Sequence, residues 1–266
     1  MRNALITLSP EGAIIVRRLA ESLGDAQVYL HRDVAPLPGE EIFSGILALT
    51  TEIFGRFGGL IYVVPCGVAV RAIAPHLGSK LSDPAVVVVD VGGRYAVSLL
   101  AGHEGGANEL ALQIANIIGG EPVITTTTEA LKNLIVGVGC RRGVSAERIV
   151  AAVQEALAEV GGKLQQVRFL ASADVKADEG GLIRAAQELQ VPLRFISGEE
   201  IRATARKFTP SSLALKKINL PAVAEPAALL AGRRTQLILP RRTYQGITVA
   251  IARESLLWSA SAPADH

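Results

Sequence analysis

The sequence predicts an α/β protein of two domains, each a mixed, mostly parallel sheet covered by helices. Three observations predict it. Hydrophobic residues make up 49% of the chain and aromatic residues only 4%, so the core must be built from Ala, Val, Leu and Ile, the palette of helices packed on a largely buried sheet. Short apolar runs alternate with amphipathic stretches, as in βαβ units. The alternation breaks at a polar threonine run, residues 125–128, and then restarts. A chain of 266 residues suits one large domain or two small ones, and the restart favours two: residues 1–128, a linker at 129–133, residues 134–255, and a flexible tail at 256–266.

In the first domain, residues 4–8 read as a strand. Ser9-Pro10-Glu11-Gly12 turns the chain into a helix that ends near Gly24. A short strand follows at 27–30, a proline-rich loop at 33–39, a helix at 42–57 and a buried strand at 60–64. Pro65-Cys66-Gly67 opens a helix to about His76. Strands at 85–90 and 94–100 flank Val91-Gly92-Gly93, a hairpin signal. A helix at 105–118 and a strand at 122–125 close the half. The second half reads strand 134–138, helix 146–160, strand 168–171, helix 180–189, strand 193–196, a helix from Glu199, a helix at 223–230, and an antiparallel pair at 235–239 and 247–252.

Composition removes several function classes. The net charge is +2, and with no basic run and no aromatic platform a nucleic-acid partner is not expected. No apolar run approaches the roughly 18–20 residues of a membrane helix, and the N-terminus lacks a signal-peptide profile. Cys66 and Cys140 form neither a disulfide framework nor a CxxC pair, which suits a reducing cytoplasm. His31, His76, His103 and His266 have no ligand spacing, so no metal site is expected. There is no GxSxG elbow, Walker loop or GxGxxG.

The most informative stretch is GVGCRRGVS, residues 137–145. It lies between a strand and a helix, where backbone N–H groups and a helix N-terminus favour anions. Arg141 and Arg142 suit a ligand with several carboxylates or phosphates; a surface pair on the domain's own acids is the alternative. Cys140 is either a thiolate activated by the helix end or, as the absence of a partner histidine favours, a small residue filling a tight turn. LLAGHEGGANELA, residues 99–111, has the same strand–turn–helix form. His103 is a candidate base, with Glu104 to orient it and Asn108 nearby; a solvated turn with a capping acid is the alternative. Residues 171–182 place Lys176 between Asp174 and Asp178, as a ligand-facing lysine or part of local ion pairs. Ser197 and Glu199 read as capping residues.

The pieces GVAVRAIAP (67–75), Lys80 with DPAVVVVD (83–90), residues 98–111, PVITT (122–126), GVGCRRG (137–143), DVKAD (174–178), VPLRF (191–195), VAEPAALL (223–230) and ITVAIAR (247–253) resemble, in this order, the cobalt-precorrin-5A hydrolases of anaerobic cobalamin biosynthesis, the CbiG family. Many members carry a middle segment where this chain has only residues 129–133. The second half also resembles the CobE type of the aerobic route. The resemblance implies hydrolysis of the δ-lactone of a cobalt-bearing, ring-contracted tetrapyrrole with release of acetaldehyde. It implies no cofactor of the chain's own, since cobalt comes in the substrate, and neighbouring pathway methyltransferases as partners. Arg71, Lys80, Arg141, Arg142 and Lys176, with Asn108 and Cys140, would line the substrate. His103 would be the base, with Glu104, and Gly105 and Gly106 N–H groups the oxyanion donors. A non-catalytic tetrapyrrole carrier and a nucleotide-binding α/β protein are the rival readings. No feature specifies an oligomeric state.

Overall fold

The computed structural model describes residues 2–256, and the chain divides into two units at the Thr126–Thr127 junction. The expected tail lies outside the described residues apart from Leu256.

The first unit runs β1 (Asn3–Thr7), α1 (Pro10–Leu23), β2 (Ala26–His31), β3 (Glu41–Phe43), α2 (Ile46–Ile53), β4 (Gly59–Val63), α3 (Cys66–Ile73), β5 (Ala85–Val89), β6 (Tyr95–Leu100), α4 (Ala107–Ile118) and β7 (Glu121–Val123). The sheet order is β3-β2-β1-β4-β5-β6-β7. Every pairing is parallel except β5 with β6. β1, β4 and β5 are buried at every position, which is why they read as unbroken apolar runs rather than alternating ones. Successive residues serve opposite faces. Leu5, Ile61 and Val87 pack with Val16 of α1 and Ile114 of α4; Ile6, Leu60 and Val88 pack with Ile53 of α2 and Ile73 of α3. Ser9 caps α1, its Oγ accepting from the Gly12 N–H at 3.1 Å, and Pro10 sits at the position where its missing N–H costs nothing.

The helix expected over 42–57 is shorter and is preceded by β3. The free edge of β2 captures residues 41–43, with His31 in register with Phe43 and the Arg32 N–H bonded to the Phe43 carbonyl at 2.8 Å. Gly45 then starts α2. The predicted linker is also not featureless, since it overlaps a one-turn helix, α5 (Thr127–Ala130).

The second unit continues β8 (Leu134–Gly139), α6 (Ala146–Glu159), β9 (Val167–Ala173), α7 (Gly180–Leu189), β10 (Leu193–Ile196), α8 (Gly198–Ala203), α9 (Ser212–Ile218), α10 (Ala224–Leu230), β11 (Thr235–Tyr244) and β12 (Ile247–Glu254). The order is β10-β9-β8-β12-β11. β10, β9 and β8 are parallel, while β12 and β11 run antiparallel, so this sheet is mixed in equal parts. The glycine motif at 137–143 serves packing here. A Cβ on Gly137 would lie 1.9 Å from the Ala224 carbonyl, so α10 can rest on β8 only because that position has no side chain. Ser197 caps α8, but its capping-box partner is Glu200 rather than Glu199, because the third helical position is the one whose side chain reaches back.

Candidate functional site

In the first unit the loop before β5 and the turn after β6 come together. Asp83 accepts from the Gly78 N–H at 3.1 Å and the Ser79 N–H at 3.1 Å, which closes the loop that carries Lys80. The Lys80 ammonium then meets Glu104 Oε1 at 3.0 Å. That pairing holds the Glu104 carboxyl below its ordinary value, so Glu104 is a stable anion and a weak base. His103 is exposed beside it, and its ring makes no hydrogen bond among the described residues.

β6 runs against β5, with Val86 opposite Leu100. The turn after β6 therefore lies at the amino edge of the parallel strands, not at the carboxyl edge where open α/β sheets bind ligands. Arg71 lies in the last turn of α3 and is exposed, but its guanidinium reaches back beside Gly67 at the start of that helix, next to the carboxyl end of β4 and not to the amino edge.

Two expected roles are corrected in this turn. The Gly105 N–H already bonds the Ala101 carbonyl at 3.1 Å, so it is not free to receive an oxyanion; Gly106 keeps its place at the start of α4. Asn108 is buried, accepts from Ser98 Oγ at 2.8 Å and donates to Thr126 Oγ1 at 3.0 Å, so its amide ties β6, α4 and the segment after β7 to one another rather than reaching for substrate. Ala101 takes φ 55°, a left-handed conformation that costs a non-glycine residue and holds the turn in a fixed, strained shape.

In the second unit the loops after β8, β9 and β10 all leave carboxyl ends of parallel strands, the position that binds ligands in such sheets. They are knitted together. Arg142 meets Asp178 at 2.7 Å, the Gly143 N–H meets Glu179 Oε1 at 3.0 Å, and Asp174 Oδ1 accepts from the Gly198 N–H at 3.2 Å. A Cβ on Gly181 would lie 1.8 Å from the Val144 carbonyl, so this closeness depends on glycine. Arg142 is thus engaged by its own unit, as the alternative reading held, while Arg141 is exposed. Burial pushes the Cys140 thiol up, with Lys176 opposing the shift. A raised thiol is the reverse of an activated one, so Cys140 fills the turn. Lys176 is buried, at 6% exposure.

Three carboxylates were not among the expected residues. Glu179 is buried at the start of α7. Glu225 is buried and receives the Thr209 N–H and, at 2.9 Å, the Arg241 N–H. Glu254 is buried against Arg168 at 2.6 Å. The acid before Gly180-Gly181 is a signal that could have found the first; the other two depend on partners distant in sequence.

The cobalamin synthesis G N-terminal family model matches residues 48–129, and the cobalamin synthesis G C-terminus model matches residues 134–252. A cobalt-precorrin-5A hydrolase of Priestia megaterium is 24% identical over 352 residues, covering 94% of each chain. That alignment is longer than this chain's 266 residues, so it opens gaps here. Protein CobE of Sinorhizobium sp is 35% identical over 133 residues, 49% of this chain and 86% of that protein. The crystal structure of CobE, a protein from the cobalamin (vitamin B12) biosynthetic pathway, is 36% identical, covers 46% of this chain and 90% of that chain, and superposes with a TM-score of 0.42.

Proposed function

The chain belongs to the cobalamin synthesis G (CbiG) family, and on that premise we propose that it is a cobalt-precorrin-5A hydrolase. The observation that carries the reading is that both family domains are present in order, with a relative of that name matching 94% of the chain. In this reading water opens the δ-lactone of a cobalt-bearing corrinoid and acetaldehyde leaves. The cobalt is part of the substrate, and the chain supplies acid–base groups and anion contacts but no cofactor.

His103 is the base for water. It is exposed, its ring is free of hydrogen bonds among the described residues, and an imidazole nitrogen can take a proton from an attacking water. Glu104, held anionic by Lys80, orients the imidazole and favours its charged form as the proton arrives. With the Gly105 N–H engaged, the Gly106 N–H and the Lys80 ammonium are the groups left to face developing negative charge. Arg71 and Arg141 are exposed and meet carboxylate arms of the substrate. The enzymes that deliver and receive the intermediate, neighbouring methyltransferases, are the partners this role calls for. The reducing cytoplasm is its setting, in keeping with two free cysteines.

The test is anaerobic incubation of the purified chain with cobalt-precorrin-5A, followed by assay of acetaldehyde and product mass. Acetaldehyde with the matching mass loss supports the hydrolase. Tight binding of the intermediate with no acetaldehyde would move the chain to a carrier role.

A further inference from the structure

Lys176 ends the 3-10 turn Asp174–Lys176 at the carboxyl end of β9. Only 6% of the residue is exposed. An ammonium is normally taken out of water only when a carboxylate or several acceptors replace its hydration. Among the described residues the Lys176 side chain has neither an ion pair nor a hydrogen bond.

The acids beside it in sequence lie near it, Asp178 feeling its charge, but their hydrogen bonds go to other groups. Asp174 Oδ1 accepts from the Val175 and Gly198 N–H groups at 2.8 and 3.2 Å. Asp178 holds Arg142 at 2.7 Å. Glu179, itself buried, holds the Gly143 N–H at 3.0 Å. The ammonium is nonetheless not sealed in. Among the described residues the fully buried side-chain polar atom without a partner is Asn3 Oδ1, so Lys176 Nζ keeps an opening to solvent while its stem is covered. β9 pairs with β8 on one side, so the turn that carries Lys176 stands next to the loop after β8, and its charge is felt by both the Cys140 thiol and the Asp178 carboxyl.

We propose that Lys176 Nζ is the anchor for one carboxylate of the ligand, in a pocket of the second unit walled by the loops after β8 and β9. The identity of the ligand as a corrinoid rests on the hydrolase reading; the pocket itself does not. A single carboxylate suits the site because a lysine is one point charge, and the nearby Glu179 and Asp178 repel a second negative charge. Acetate and propionate arms on a macrocycle present their carboxylates singly. A phosphate chain does not.

The test uses the full chain and uroporphyrin III, an octacarboxylate macrocycle, with binding followed by its absorption band. Lys176→Met keeps a long apolar stem and removes the charge. It is expected to weaken binding about tenfold, the scale of one charge-assisted hydrogen bond. A second readout needs no variant. Cys140 opens the loop after β8, one wall of the proposed pocket, and Cys66 is exposed in the other unit, so bound uroporphyrin is expected to slow alkylation of Cys140 and leave Cys66 unchanged, read by peptide mass. Wild-type affinity in Lys176→Met, unprotected Cys140 under saturating uroporphyrin, or no binding to the wild-type chain would each overturn the anchor. Failure of the two proposals is distinguishable. Lys176-dependent binding without acetaldehyde release keeps the anchor and removes the hydrolase. Acetaldehyde release with an unchanged KM in Lys176→Met does the opposite.

Discussion

The turn after β6 and the loop after β8 look alike in sequence. Each joins a strand to a helix, each is glycine-rich, and each carries chemistry-bearing side chains. In the structure they differ in almost every physical respect. The first unit's turn keeps His103 and Glu104 at the surface, spends the Gly105 N–H internally, and stands on the amino edge of the parallel strands. The second unit's loops lie on the carboxyl edge and cross-link one another through Arg142–Asp178 and Gly143–Glu179. They bury a lysine and a glutamate. The difference teaches that a glycine-rich strand–turn–helix signal identifies a place, not a duty. The exposed turn suits acid–base chemistry on a ligand that comes to it. The cross-linked loops suit holding a ligand still.

The comparison breaks most sharply at His103. His103→Ala is expected to lower acetaldehyde release by at least about a hundredfold, the low end of general acid–base contributions, with KM little changed. Wild-type turnover would return the turn to a structural role.

The glycines of the second unit come next. Gly181→Ala forces a methyl group onto the Val144 carbonyl and is expected to cost about 2–3 kcal/mol in denaturant unfolding, the range of overpacking. An unchanged midpoint would mean that α7 and the loop after β8 approach less closely than described.

The two adjacent arginines separate in the same comparison. Arg141→Ala is expected to raise KM about tenfold with kcat preserved. Arg142→Ala, whose guanidinium is committed to Asp178, is expected to change KM less than about threefold. Equal effects would show that the Arg142–Asp178 pair opens when ligand binds.

Cys140→Ala is expected to leave turnover within about twofold, since burial raises the thiol and keeps it protonated near neutral pH. A large loss would restore the nucleophile.

Smallest of all is Glu104→Gln. Lys80 holds the folded-state Glu104 carboxyl below its ordinary 4.5. The pair's contribution to stability is therefore present above that value and is lost as pH falls through the depressed folded one. The variant is expected to melt slightly below wild type at neutral pH, by a small margin as befits an exposed pair, and to converge with it as pH falls below about 4.5.

Much of this architecture was legible in the sequence because buried parallel strands leave an unmistakable trace. Residues 85–89, AVVVV, can be little else, and Ser9-Pro10 announces α1 through capping chemistry. The misses have physical reasons. β3 is three residues long, too short for a period to register, and exists because β2 offers an open edge. α9 was not expected because SLALKKI is short and exposes Leu213 and Leu215, so no buried face marks it. The edge on which His103 lies was within reach of the sequence. The Val91-Gly92-Gly93 hairpin already implied that β6 reverses direction, and with it the edge on which the following turn lies. Asn108, Glu225 and Glu254 were unreadable for another reason: each is defined by donors or acceptors that only the fold brings near.

Acetaldehyde release from cobalt-precorrin-5A, measured anaerobically with the product mass for wild type and His103→Ala side by side, tests the central claim most directly. The account predicts stoichiometric acetaldehyde with the matching mass loss from the wild-type chain and at least about a hundredfold slower release from the variant. Acetaldehyde at equal rates from both would contradict the assignment of the chemistry to the first unit's turn. No acetaldehyde from the wild type, with the intermediate bound, would contradict the hydrolase itself.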